Sequence, residues 1–193
     1  MSVTDKEFSG FGVTWDWEQV TAQVFQDDKR PIILFDGVCN LCNGGVNFAL
    51  DHDAKGECRE NILYILKSDS SHSNQITIIA TFRFVSLQSK VGQSLLIRSG
   101  RNPSDISSIV LCLDDGRSYF KSDAILKIAQ GLDGPLLPLF GTLGLAVTPK
   151  FVRNAVYKVV SENRYQFGEY KNDQCRLDLD GELDSRFIQD PVV

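Results

Sequence analysis

Apolar and polar positions fall along this chain in short, bounded blocks. Ile32 to Phe35 is a run of four apolar residues between Pro31 and Asp36-Gly37, which predicts a short strand with both faces covered. Phe82 to Leu87 alternates and predicts a second strand. Ile106 to Leu113 predicts a third, and Asp114-Asp115-Gly116-Arg117 turns it into a fourth at Ser118-Tyr119-Phe120. Elsewhere the period lengthens to that of a helix. Trp17, Val20 and Val24 mark a helix from Trp15 to Phe25, closed before Pro31. Val46, Ala49 and Leu50, with Phe48 beside them, mark another after Cys42, with His52 near its negative terminus. Val91, Leu95 and Leu96 mark a helix from Lys90 to Gly100. Ala124, Ile125, Ile128 and Ala129 mark the next, with Ser122-Asp123 as its cap. A last helix, residues 150 to 163, turns Phe151, Val152, Ala155, Val156 and Val159 inward.

The order strand, helix, strand, helix, strand, strand, helix describes an α/β (α+β) domain, a small mixed sheet with helices packed on it, plus a C-terminal helical extension. The expected divisions are an N-terminal extension with a short helix at 1–30, one domain at 31–178 and a flexible tail at 179–193. Residues 56 to 81 fit poorly. Asn61 to Leu66 and Gln75 to Ala80 are apolar and β-prone around a Ser-rich turn, as an extra hairpin or as an insertion the core does not need. Gly44 and Gly45, in the first helical turn after Cys42, indicate either a frayed start or the close approach of another chain.

Composition narrows the function classes. The 193 residues suffice for one well-buried domain, with ordinary hydrophobic (42%) and charged (23%) content. A formal net charge of −5 argues against binding nucleic acid through its phosphates. Pro135 to Val147, the longest apolar-leaning stretch, is broken by Pro138, Gly141 and Gly144 and falls short of the roughly 18 residues of a membrane span. No membrane partner is therefore expected. The first thirty residues hold six acids against three bases, unlike a secretory signal or a transit peptide. The expected location is cytoplasmic, or an organelle stroma (chloroplast or mitochondrion) if a targeting segment is missing, and not secreted. Five cysteines, an odd and sparse set, do not form a secreted disulfide scaffold. Cys58 and Cys112 are expected as packing residues, while Cys175 sits in a polar stretch.

Candidate chemistry is concentrated in Cys39-Asn40-Leu41-Cys42, a C-x-x-C between a strand and a helix. A thiol attacks as thiolate, and a helix N-terminus supports negative charge beside the first sulfur. Cys39 is therefore assigned as the attacking thiol that meets substrate, and Cys42, one turn in and beneath it, as the resolving thiol. Asp36 either accepts a proton from Cys42 or bonds to the turn. Other readings are weaker. Structural zinc takes four ligands, and only His52 and His72 accompany this pair, so no metal is expected. Haem attachment needs His at position 43, which is Asn. A phosphatase of the haloacid dehalogenase type needs two carboxylates spaced D-x-D, and Leu34 stands two before Asp36. Two inert buried cysteines remain the bland alternative.

Phe35-Asp36-Gly37-Val38-Cys39-Asn40-Leu41-Cys42 resembles the D-G-x-C-x-x-C signature of the DCC-type thiol–disulfide oxidoreductases. Phe82 to Ser89 with its Leu-Gln-Ser ending, Asp115-Gly116-Arg117 with Lys121 to Ala124, and Asn163-Arg164-Tyr165 with Phe167-Gly168 and Cys175 look like further family segments. The resemblance covers about residues 31 to 178. It implies a thioredoxin-like fold and a disulfide oxidoreductase with Cys39 and Cys42 as the redox pair and Asp36 and Gly37 supporting it. Protein or small-molecule disulfides and thiols are the implied partners, no cofactor is called for, and similar plant proteins are often plastid-targeted. Two departures stand out: the 56–81 stretch, and the absence of a proline just before the third strand, where thioredoxins carry one facing the disulfide and where Pro103 is the nearest here. The role of Asn163, Arg164 and Tyr165 is open between a helix C-terminus, with Arg164 on the last carbonyls, and catalysis; the helix terminus is preferred. A non-catalytic redox sensor or interaction protein, switched by the same disulfide, is the alternative function.

Overall fold

A computed structural model describes residues 13–53, 81–134, 136–168 and 186–190. The 56–81 stretch lies almost wholly outside these residues, as do Cys58, His72 and Cys175. The described elements are α1 (Trp17–Val24), β1 (Ile32–Phe35), α2 (Asn40–His52), β2 (Arg83–Ser86), α3 (Lys90–Arg98), β3 (Val110–Cys112), β4 (Ser118–Phe120), α4 (Lys121–Gly131), α5 (Leu137–Val147) and α6 (Lys150–Glu162), followed by a 3-10 turn, Arg164–Phe167.

The strands form one mixed sheet in the order β2-β1-β3-β4. β1 runs parallel to β2 and antiparallel to β3, which pairs antiparallel with β4. β1 is buried along its length, and its side chains alternate between two cores. Ile33 and Phe35 join Phe84, Leu111, Val46 and Leu50 on the side of α2 and α4. Ile32 and Leu34 join Val85, Val91, Leu95 and Phe25 on the side of α3 and α1. The four-residue apolar run thus becomes a central strand covered on both faces. The expected α/β, thioredoxin-like arrangement is present, with α6 as its C-terminal helical extension, and α5, which the apolar pattern did not predict, precedes it.

Several expectations change. α6 is reversed: none of its residues is buried, and Phe151, Val152, Val156 and Val159, expected inward, are exposed. It docks by its polar side instead. Tyr157 Oη accepts from Ile109 N at 3.0 Å, Asn154 Oδ1 from the Ser122 hydroxyl at 2.6 Å, and Arg153 pairs with Asp123. Ser122 and Asp123 are thereby engaged by α6 and do not cap α4, whose N-cap Phe120 offers no side-chain bond. α4 buries Leu126 where Ile125 was expected. α2 runs through Gly44 and Gly45, and a Cβ at either would meet nothing within 4 Å, so neither a frayed start nor a close neighbour explains them. Phe48 is exposed, stacked on the His52 ring. Cys112 is a buried free thiol, as expected of a packing residue. β3 is shorter than its apolar run.

The chain on either side of the domain is also bound. α1 packs on α3, where Trp15 Nε1 donates to Ser94 Oγ at 2.9 Å. Part of the expected loose tail lies along β2: Phe84 N donates to Arg186 O at 2.7 Å and Ile188 N to Phe84 O at 2.9 Å. Asp190 then accepts from the backbone of Lys90 and Val91 at the start of α3, each at 3.0 Å. Residues 186–190 are held because they satisfy the edge of β2 and the helix N-terminus, two sets of otherwise open donors and acceptors.

Candidate active site

The site forms where β1 ends and α2 begins. Cys39 is the N-cap of α2, in extended conformation (φ −86°, ψ 120°), and its Sγ accepts from Cys42 N at 3.4 Å. A sulfur thus stands where a Ser or Asp oxygen would usually receive a backbone N–H of the first helical turn. Asn43 fixes the approach, donating through Nδ2 to Gly37 O at 2.9 Å and to Cys39 O at 3.1 Å. Both Cys39 and Cys42 are free thiols.

Their exposure reverses the expected order. Cys39 is 0% exposed, whereas Cys42 is half-buried. The cover is the turn after α6. Arg164 O lies 4.0 Å from Cys39 Sγ, Asn40 Nδ2 donates to Phe167 O at 3.2 Å, and Asn40 N donates to Gly168 O at 3.3 Å. The strap's carbonyls meet the positive end of α2, which stabilises the contact. Gly168 takes φ +92°, and a Cβ there would meet Asn40 Nδ2 at 2.7 Å, so glycine is required for this closure.

Asp36 fastens the strap. Its carboxylate is buried, and its two oxygens receive four donors. Oδ1 accepts from Val38 N at 3.1 Å and from Gln88 Nε2 at 2.7 Å. Oδ2 accepts from Arg164 Nη2 at 3.0 Å and from the Tyr165 hydroxyl at 2.6 Å. A carboxylate has about four lone-pair sites, so no acceptor position is left for the Cys42 proton in this closed arrangement. The turn role of Asp36 is present, and anchoring the strap is added to it. Gly37 sits against β2, its N donating to Gln88 Oε1 at 3.3 Å.

Arg164 corrects the preferred reading of Asn163-Arg164-Tyr165. Asn163 does bond the last helical turn, to Val159 O at 2.7 Å. Arg164 instead reaches Asp36, Ile106 O at 2.9 Å and Ser107 O at 3.3 Å, because a buried carboxylate is a stronger partner than exposed helix carbonyls. It therefore ties the loop before β3, where a thioredoxin carries its proline, to the motif. Burial works against the Arg164 charge, but Tyr165, Asp36 and Cys42 outweigh it and raise its pKa.

Burial above all, then the hydrogen bond and charge of Cys39, pushes the Cys42 thiol up to about 12. Asp36 acts in the same direction and Arg164 opposes it. Cys42 therefore holds its proton at neutral pH. Chemically, the arrangement offers one sulfur fed by a helix N–H, a neighbouring thiol raised by burial, and a cover made by residues 164–168.

Sequence reasoning found Cys39, Cys42, Asp36, Gly37, Arg164 and Tyr165, and the structure brings all six together. It missed Gln88 and Asn43. Gln88 had a signal, the Leu87-Gln88-Ser89 ending of the second strand. Asn43 had none beyond its place in the helix. Among the described residues no group of three or more His, Cys, Asp or Glu gathers as a metal site would require.

Known proteins match this part of the chain. Residues 33–169 match the family model described as DCC1-like thiol-disulfide oxidoreductase. A chloroplastic DCC family protein of Arabidopsis thaliana is 45% identical over 163 residues, covering 84% of this chain and 78% of that protein. The uncharacterized protein YuxK of Bacillus subtilis (strain 168) is 37% identical over 148 residues, covering 76% of this chain and 85% of that protein. No solved structure gives a significant match. The matched span begins inside β1 and ends one residue beyond the strap, so it encloses the dithiol, its carboxylate anchor and its cover, and the chain belongs to the DCC1-like thiol-disulfide oxidoreductase family.

Proposed function

We propose that this protein is a thiol–disulfide oxidoreductase working through Cys39 and Cys42 by dithiol–disulfide exchange. The observation that carries the proposal is the cap geometry: Cys39 Sγ receives the Cys42 N–H at the N-terminus of α2, and burial, which raises the Cys42 thiol, acts in the same sense. The Cys39 thiolate attacks one sulfur of a substrate disulfide, forms a mixed disulfide and releases the first substrate thiolate. Cys42 loses its proton to solvent or to the departing sulfur and attacks Cys39 Sγ. The second substrate thiol leaves, and the Cys39–Cys42 disulfide remains. The dithiol is oxidised by two electrons and the substrate disulfide reduced by two; the reverse sequence oxidises a substrate dithiol.

Attack by Cys39 requires the Arg164–Gly168 strap to lift. That movement also removes two donors from Asp36 Oδ2, leaving an acceptor close to Cys42 at the moment its proton must go. Arg164 and Tyr165 are positioning residues in this scheme.

Trapping decides the assignment. Cys42→Ser incubated with an aromatic disulfide accumulates a mixed disulfide at Cys39, seen as a mass increase, whereas Cys39→Ser does not. A trapped adduct on Cys42 in the Cys39→Ser protein, formed as fast, would reverse the roles. One observation favours a second reading: the complete burial of Cys39 suits a redox sensor whose disulfide alters binding without turnover. Multiple turnovers of a protein or small-molecule disulfide in the presence of excess thiol reductant would remove that reading. The chloroplastic relative makes a plastid the first compartment to test, with a fluorescent fusion of the gene's full coding sequence.

A further inference from the structure

Among the described residues, every hydrogen bond between the strap and the start of α2 ends on a main-chain carbonyl of the strap. Arg164 O lies 4.0 Å from Cys39 Sγ, Phe167 O accepts from Asn40 Nδ2 at 3.2 Å, and Gly168 O accepts from Asn40 N at 3.3 Å. The side chains of Gln166 and Phe167 are exposed. What the helix start holds, beside its reactive sulfur, is therefore a stretch of polypeptide backbone. Asn40 N is one of the open donors of a helix N-terminus and needs such a partner.

The strap uses only half of the Asn40 amide. Nδ2 donates to Phe167 O, but Oδ1 is buried without a hydrogen-bond partner. A buried acceptor left unpaired weakens the closed arrangement. It also shows which group would complete the contact: an N–H beside the carbonyl that Nδ2 already receives. A peptide chain carries both. An anion at the helix start would set negative charge against Oδ1. A disulfide of a simple non-peptide thiol offers neither group.

We propose that residues 164–168 are an internal stand-in for the substrate, and that Asn40 selects a cysteine carried on a peptide. When the strap lifts, the substrate's main chain takes its place, with C=O groups on Asn40 N and Nδ2 and an N–H on Asn40 Oδ1. This sets the substrate sulfur beside Cys39. The inference rests on the exchange reaction proposed above and adds its substrate class. The strap, tethered to Asp36 by Arg164 and Tyr165, competes at high effective concentration. An incoming peptide makes one bond that the strap does not, whereas a non-peptide disulfide must wait for the strap to open unaided. Asn40 binds the substrate and takes no part in the sulfur exchange.

The test uses the full chain as Cys42→Ser, in which exchange stops at the mixed disulfide, and two probes with one leaving group. One is the mixed disulfide of thionitrobenzoate with 2-mercaptoethanol. The other carries thionitrobenzoate on the central cysteine of an uncharged, end-blocked pentapeptide. The Cys39 thiolate attacks the carrier sulfur, one S–S bond breaks as another forms, and thionitrobenzoate leaves as the coloured thiolate. Each rate is divided by that of free cysteine with the same probe, which removes differences in intrinsic reactivity. On this scale the peptide probe is expected to react at least roughly tenfold faster, the weight of one or two hydrogen bonds. Asn40→Ala in the same background removes that advantage. It also raises the 2-mercaptoethanol rate about two- to fivefold, because the change loosens the strap. A variant that merely unfolds would speed both probes. Equal normalised rates for the two probes overturn the inference and leave the exchange reaction standing, as does a peptide advantage that survives Asn40→Ala. No adduct with either probe overturns both. A glutathione probe separates the sources of the peptide: an advantage it shares admits the tripeptide, and one confined to the pentapeptide assigns a protein segment.

Discussion

The two ends of α2 are built on the same plan and differ in one respect. Each holds a buried aspartate, Asp36 just before the helix and Asp53 as its C-cap, and each pairs with an arginine far along the chain, Arg164 and Arg186. At the far end the carboxylate is held largely by backbone: Asp53 accepts from Thr81 N at 2.8 Å and Phe82 N at 3.0 Å, besides Arg186. At the thiol end three of the four donors to Asp36 are side chains, those of Gln88, Arg164 and Tyr165. Backbone donors cannot leave without unfolding a segment, whereas side chains release by rotation. The same ion-pair device is thus expected to hold one end of the helix firmly and to let the thiol end release.

The largest effect is expected at the fixed end. Asp53→Ala removes the carboxylate of a buried ion pair, together with the acceptor of the Thr81 and Phe82 backbone N–H groups, costing about 3–5 kcal/mol. A denaturant titration measures it as a lower midpoint with an unchanged slope. The alkylation rate of Cys39 per folded molecule stays the same. A mutant that exposes Cys39 while still folded would show that the two ends are coupled and the contrast is false.

Arg164→Met is the matching change at the thiol end. Tyr165 and Gln88 still donate to Asp36, so the cost is smaller, about 2 kcal/mol. The strap loses its anchor, and alkylation of Cys39 accelerates at least roughly tenfold, in proportion to the open population. Arg186→Met serves as the control and leaves that rate unchanged. Equal, slow alkylation in the Arg164→Met protein and the native one would show that the strap is not what shields the sulfur.

This contrast also explains what could be read from the sequence. β1 was legible because four consecutive apolar residues have few other uses, and the C-x-x-C was legible because its spacing is set by one helical turn. The partners of Asp36 were not, because contacts across 128 or 129 positions leave no periodic trace. Arg164 and Tyr165 stood out only through the family resemblance, and local logic then assigned them to the helix end. α6 misled for a physical reason. Its apolar periodicity is genuine, but periodicity shows that a helix has two faces and not which one the domain takes. Here Asp123, Ser122 and the Ile109 N–H take the polar side. α5 was missed because Pro138, Gly141 and Gly144 read as breakers, yet Pro stands in its first turn and the glycines are its packing surface.

Tyr165→Phe tests the release more gently. One hydrogen bond to a buried carboxylate is lost from a partly exposed ring, for about 1.5 kcal/mol, while Arg164 keeps its own bond to Asp36. Cys39 alkylation rises about two- to fivefold, between native and Arg164→Met. A rate equal to that of Arg164→Met would mean that the two donors act as one unit.

The smallest effect lies in the pH dependence of stability. The Cys42 thiol is raised from an ordinary 9.0 to about 12 in the folded protein, chiefly by burial and then by Cys39. Between these values the unfolded chain releases the Cys42 proton and the folded chain retains it, so the unfolded state binds fewer protons and stability falls as pH rises. Its contribution is fully present below pH 9 and declines progressively towards pH 12. At pH 9.5 the loss is only about 1 kcal/mol relative to pH 8, because few unfolded thiols have yet ionised at the lower pH. Cys112, raised by its own burial, and Tyr157 and Tyr165, raised likewise, slope the same way. The informative quantity is therefore the difference between the reduced native protein and Cys42→Ser, in which Cys112 and both tyrosines remain. The reduced protein is expected to lose about 1 kcal/mol more than the variant over this interval, and the oxidised protein, with no Cys42 thiol, to behave like the variant. Parallel pH profiles for all three would mean that Cys42 gives up its proton as readily in the folded chain as in the unfolded one, and the thiol end would then lack the protonated second sulfur that assigns the attack to Cys39.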